Sequence, residues 1–109
     1  MATLDTTNRI CIPSLKLLGD YWTLRIVDVL SEGELRYVEI RRAIDDMNPV
    51  TLSNRLKKME ATGLITRTES SRADVSYALT ELGHRAVPVL EAVNTYSAVA
   101  AGLDVQNKS

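Results

Sequence analysis

The chain has 109 residues, 45% of them hydrophobic and 25% charged, the balance of one globular domain with its own core and not of a disordered segment. Its net charge is −1 and its pI about 5.8, so any claim on nucleic acid has to rest on local charge. The single cysteine, Cys11, excludes an intrachain disulfide and a zinc site of several thiolates, and no stretch has the apolar length of a signal peptide or membrane span. A cytoplasmic protein with a reduced Cys11 and no membrane partner is therefore expected.

Residues 1–10 are polar and read as a flexible N-terminal arm. Ile12 to Leu18 follows as a short apolar helix, with Pro13 suited to its first turn and Gly19-Asp20 as punctuation. In YWTLRIVDVL, Trp22, Ile26, Val29 and Leu30 recur at helical steps, and Gly33 is placed to cap the end. Leu35-Arg36 is a short extended link. Tyr37 to Ala43 fits another helix, with Tyr37, Ile40 and Ile44 inward and Arg41 and Arg42 outward.

The stretch NPVTLSNRLKKMEATGLITR is the most sharply bounded. Asn48 is a good N-cap, Pro49 stands where a helix best tolerates proline, and Gly63 closes the segment. At 100° per residue Leu52, Leu56 and Met59 share one side. Val50, Asn54, Lys57, Lys58 and Ala61 share the other, with Thr51 flanking and Arg55 between the two faces.

Leu64–Glu69 and Asp74–Leu79 alternate as two strands of a hairpin with Arg72 near its tip. Thr80-Glu81 caps a final long helix carrying Leu82, Ala86, Val89, Val93 and Tyr96 at helical spacing. Pro88 should kink that helix or remove one of its hydrogen bonds. From residue 102 to 109 the chain reads as a polar, flexible tail, leaving residues 11–101 as the domain and 80–101 as its last helix.

This order predicts a mainly α fold with a small β-hairpin, the winged helix-turn-helix arrangement. The segment from about Asn48 to Thr62 would be the recognition helix and residues 64–79 the wing. A groove-entering helix needs an apolar side for its domain, a polar side for base edges and phosphates, and a clean N-terminus whose free N–H groups favour phosphate. From Thr51 to Arg72 five basic residues (Arg55, Lys57, Lys58, Arg67, Arg72) face two acids (Glu60, Glu69), so a near-neutral chain can hold a positive face. The alternative is that lysines opposite leucines are only a solvated helix side.

The chain also resembles the HxlR-type winged-helix transcription regulators from about Cys11 to Val93. The likeness rests on Cys11 before the first helix and on LLGDYWTLRIVDVL, GELRYVEIRRAI, LSNRLKKMEATGLITR, VSYALTELG and VPVLEAV, in that order. It implies a homodimeric DNA-binding regulator whose N- and C-terminal helices form the dimer interface, with Leu82, Ala86, Val89, Val93 and Tyr96 as its apolar stripe. Two recognition helices would then lie roughly 34–36 Å apart over an inverted repeat in double-stranded DNA. Three positions depart from the family pattern: Tyr21 for a usual lysine, Val50 for a basic or polar residue, and Ser76 for an acid.

Thr51 and Asn54 are candidates for base edges, since asparagine can pair with adenine and a threonine methyl can meet thymine. Lys57 and Lys58 suit phosphate or solvent. Arg55 would brace the helix against an acid such as Glu39 and touch phosphate secondarily. Arg72 would reach backbone or minor groove, and Arg36, Arg41 and Arg42 the flanking backbone. Cys11 has two readings: an oxidant- or electrophile-responsive thiol before a helix N-terminus, or a small residue packed beneath Trp22. Trp22 and Tyr37 read as core, with a small-molecule effector pocket between domain and dimer helix left open; His84 reads as structural. No cofactor, metal or enzymatic constellation is expected. The competing function is a winged-helix module that binds protein instead of DNA.

Overall fold

The computed structural model describes residues 12–70 and 74–108, the side chains of 103–108 excepted. The arm at 1–10, Cys11 and Arg72 lie outside the described residues. The elements are α1 (Ile12–Leu18), α2 (Tyr21–Leu30), β1 (Leu35–Arg36), α3 (Tyr37–Ala43), α4 (Pro49–Ala61), β2 (Ile65–Glu69), β3 (Val75–Leu79), α5 (Glu81–His84) and α6 (Val87–Lys108).

Helix α2 begins at Asp20, whose carboxylate accepts from the Thr23 amide at 2.9 Å. Its buried row is Thr23, Ile26, Val27 and Leu30, steps of three, one and three. The apolar pattern places Trp22 and Val29 inward; both pack against the core but from its edge, half-buried. Thr23 takes the inner position because its hydroxyl also donates to Asp20 at 2.9 Å, which removes the cost of burying it.

Leu35-Arg36 is a true strand and not merely a link. It pairs antiparallel with β3 (Leu35 with Tyr77, Arg36 with Ser76), so the hairpin is part of a three-stranded sheet of order β1-β3-β2. Ser76, one of the departures from the family pattern, donates its hydroxyl to the Glu34 carboxylate and ties the entry of β1 to β3.

Helix α4 closes with paired bonds from Gly63 N–H to Glu60 O (3.1 Å) and Leu64 N–H to Met59 O (2.9 Å), with Gly63 at φ +86°. That close aims Leu64 and Ile65 into the core, at 3% and 2% exposure.

The expected single last helix is two. Thr80 caps α5 by accepting from Gly83 N–H at 3.0 Å, and the chain turns at Arg85-Ala86 before α6 starts. Pro88 is thereby in the first turn of α6, where an N–H has no intrahelical partner, so no interior kink is needed. Gly83 is required by contact: a Cβ there would lie 2.1 Å from the Leu64 carbonyl oxygen. Helix α6 also continues through Gly102 to Lys108, past the point where the polar tail was expected to begin. A glycine within a helix costs only about 1 kcal/mol and no proline follows to stop it.

Candidate nucleic-acid interface

Leu52, Leu56 and Met59 seal one side of α4 into the core at 1%, 2% and 0% exposure. Leu30, Ile40 and Ile44 belong to the same apolar cluster, so α2 and α3 back the helix. The opposite side is open: Val50, Asn54, Lys57, Lys58 and Ala61 are exposed, and Thr51 is half-buried. At the N-terminus Asn48 Oδ1 accepts from Val50 N–H at 2.7 Å. Pro49 has no N–H and Leu52 N–H bonds to the Asn48 carbonyl at 2.9 Å, so beyond the capped Val50 the first turn leaves only the Thr51 amide to meet a ligand.

Arg55 does brace the helix, but against Asp20 and not Glu39. Its Nε donates to Asp20 Oδ2 at 2.8 Å and its Nη2 to Oδ1 at 3.1 Å. Those bonds pull the Asp20 carboxyl from 3.8 to about 2, burial opposing them and the Thr23 amide and hydroxyl assisting. Glu39 is engaged elsewhere: it accepts from Arg36 N–H at 2.8 Å at the start of α3 and lies 3.6 Å from the Arg36 guanidinium. Arg36 is thus bound up in a helix start, whereas Arg41 and Arg42 stand exposed on α3.

Several participants escape sequence reading. Arg25 donates to the Tyr21 hydroxyl at 2.7 Å and to Asp46 at 3.3 Å, and its guanidinium carbon lies 5.5 Å and 5.9 Å from the Tyr21 and Trp22 ring centres. Tyr21, a departure from the family pattern, is therefore a seat for Arg25. On the wing, Arg67 is paired with Glu69 at 3.5 Å and held as a cation chiefly by the Tyr77 hydroxyl. Ser53, Lys57, Glu60, Arg67 and Tyr77 line a groove of about 350 Å³ between α4 and the wing. A basic residue at alternate strand spacing marks Arg67 as exposed, but no local signal announces the Arg25 or Asp20 partners, 21 and 35 residues away.

The positions assigned to dimerisation divide. Ala86 is buried in its own domain at 3% exposure and is not available to a partner. Leu82, Val89, Val93 and Tyr96 are exposed at 54%, 37%, 46% and 75%, and Val99 joins them at 58%. An apolar cavity of about 150 Å³ lies beside them, lined by Ser14, Leu17, Leu18, Leu64, Leu82, Arg85 and Ala86. His84 is exposed on α5. Among the described residues no helix is long and apolar enough to cross a membrane.

A capped helix with a sealed apolar side, preceded by α3 and followed by a β-hairpin, is the winged helix-turn-helix geometry. The HxlR-like helix-turn-helix family matches residues 17–102. The chain belongs to that family. An HTH-type transcriptional regulator of Halalkalibacterium halodurans is 36% identical over 81 residues, 72% of each chain. A solved structure from Enterococcus faecalis V583, described as a MarR-family transcriptional regulator, superposes with a TM-score of 0.80 at 27% identity and covers 97% of both chains. The diamide-treated form of YodB from Bacillus subtilis superposes at 0.72 with 27% identity, over 84% of this chain and 95% of that one. In this HxlR-type chain the open side of α4 is the candidate surface for DNA.

Proposed function

We propose that this HxlR-type transcription regulator acts as a cytoplasmic homodimer on an inverted-repeat operator, reading it with α4 and steadying itself with the wing. Family membership carries DNA-binding regulation; one structural observation carries the site assignment. Helix α4 buries Leu52, Leu56 and Met59 completely while its capped start, Asn54, Lys57 and Lys58 stay open beside the hairpin. Thr51 and Asn54 at the helix start reach base edges, and Lys57, Lys58, Arg41, Arg42 and Arg72 meet phosphate. The exposed Val50, at 68%, offers methyl contact in place of a charge. Leu82, Val89, Val93 and Tyr96 meet a second copy of the chain.

Fluorescence anisotropy against a duplex selected from a randomised pool, and against random duplex, over a salt series tests the reading. Selective binding whose log affinity falls with log salt at about −0.9 per phosphate supports it. Weak, unselective binding with a flat slope favours the protein-binding winged-helix module.

Cys11 serves as an oxidant-responsive thiol in this proposal, a reading favoured by the likeness to a regulator solved after diamide treatment. With no second cysteine in the chain, a disulfide would have to join two subunits or a small thiol. Diamide that changes DNA binding of wild type but not of Cys11→Ser supports it; an equal response of both makes Cys11 a packing residue.

A further inference from the structure

We propose that Asp20 and Arg55 are positioning residues for the recognition helix, so that Arg55 acts in DNA recognition by bracing α4 against α2 and not by touching phosphate. The inference rests on the DNA reading above and concerns what sets its geometry.

Asp20 looks like chain punctuation, yet its carboxylate accepts four hydrogen bonds. Two come from Thr23, the amide and hydroxyl each at 2.9 Å, and two from Arg55, at 2.8 and 3.1 Å. The first pair starts α2 and the second grips the middle of α4. One carboxylate thus fixes the start of the supporting helix to the flank of the reading helix. A two-point fork fixes angle as well as distance, which a lysine cannot do.

The direction of Arg55 supports a brace. It leaves α4 on the flank between the sealed row and the open side. The other flank, with Ser53, Lys57 and Glu60, faces the wing. Arg55 and Asp20 side chains are 32% and 27% exposed, so the pair is only partly screened by water. A phosphate approaching Arg55 meets a guanidinium whose charge is matched and whose Nε and Nη2 are in use. Lys57 and Lys58 have no ion-pair partner among the described residues and are exposed, so they hold charge that a phosphate can claim. A second tie runs in the same sense, from Arg25 of α2 to Asp46 in the turn before α4, at 3.3 Å.

The test measures anisotropy of the full chain and its variants on the pool-selected duplex and on random duplex, over a salt series, with thermal unfolding of each variant. Asp20→Asn keeps a good helix cap while removing the charge. Arg55→Gln and Asp20→Asn should each weaken binding to the selected duplex by roughly tenfold, and the double variant should be no worse than either single one. Binding to random duplex and the salt slope should stay as in wild type. Arg55→Lys, which keeps the charge but not the fork, should behave like Arg55→Gln.

Three results overturn the inference: a slope shallower by about 0.9 in Arg55→Gln, full recovery in Arg55→Lys, or wild-type selectivity in Asp20→Asn. A wild-type protein that shows no selective, salt-sensitive binding removes the DNA reading and this inference together, and does so before any variant is made.

Discussion

Helices α4 and α6 both carry apolar residues at helical spacing, yet the chain treats them in opposite ways. In α4 every residue of the apolar row is covered by the same chain, Leu52, Leu56 and Met59 at 2% exposure or less. In α6 Val93, Tyr96 and Val99 are exposed at 46%, 75% and 58%. The first helix has its long apolar row complete as folded, and what it leaves open is mainly polar, with Val50 and Ala61 the exceptions. The second leaves apolar surface in water, at a cost of about 25 cal/mol for every Å², and a second copy of the chain would relieve it. On the proposed reading, the contrast separates a surface for DNA from a surface for protein within one chain.

The sharpest way to test the α4 side is to hollow it. Leu56→Ala should cost about 3 kcal/mol of folding stability, seen as a lower denaturant midpoint, because the site is fully enclosed. The α6 side should respond in association instead. Val93→Glu with Tyr96→Glu should raise the dimer dissociation constant roughly a hundredfold in sedimentation experiments, with helical circular dichroism retained. If those two charges left the oligomeric state unchanged, the contrast would fail.

A smaller effect belongs to Asp20. Its carboxyl sits at about 2 in the folded chain against 3.8 ordinarily, so the pair with Arg55 stabilises the fold above about pH 4 and loses that contribution as pH falls toward 2. Asp20→Asn should be less stable than wild type by about 1–2 kcal/mol at neutral pH after allowance for partial exposure, with the gap narrowing below about pH 4 and closing only below pH 2 in thermal unfolding. The smallest effect is expected on the open side of α4. Lys58→Ala should leave stability within about 0.5 kcal/mol and make the salt slope of DNA binding shallower by about 0.9.

Where signals are local, the sequence reading matches the fold closely. Asn48, Pro49 and Gly63 bound α4 through the cap, the missing N–H and the positive φ, all properties of residues next to one another. Alternation likewise announces β2 and β3. The misses are non-local. A two-residue β1 exists only through its pairing with β3, some forty residues on. The inner row of α2 includes Thr23 and not Trp22, because an adjacent carboxylate makes a buried hydroxyl tolerable. Pro88 reads as an interior break until Gly83 is seen pressed against Leu64, which ends α5 early and lets α6 start afresh.

Residue type and spacing determined by themselves that this chain would make a capped, amphipathic helix ahead of a hairpin, and the resemblance of its ordered segments to HxlR-type regulators supplied the family and the class of its ligand. Only the tertiary structure decided which charges remain for that ligand. Arg55 and Arg36 look as available as Lys57 in the sequence, but Asp20 and Glu39 engage them in the fold. A charge is free or spent according to what lies within a few ångströms of it; for Arg36 that is a neighbour three residues on, and for Arg55 a partner brought by packing across 35 residues of chain.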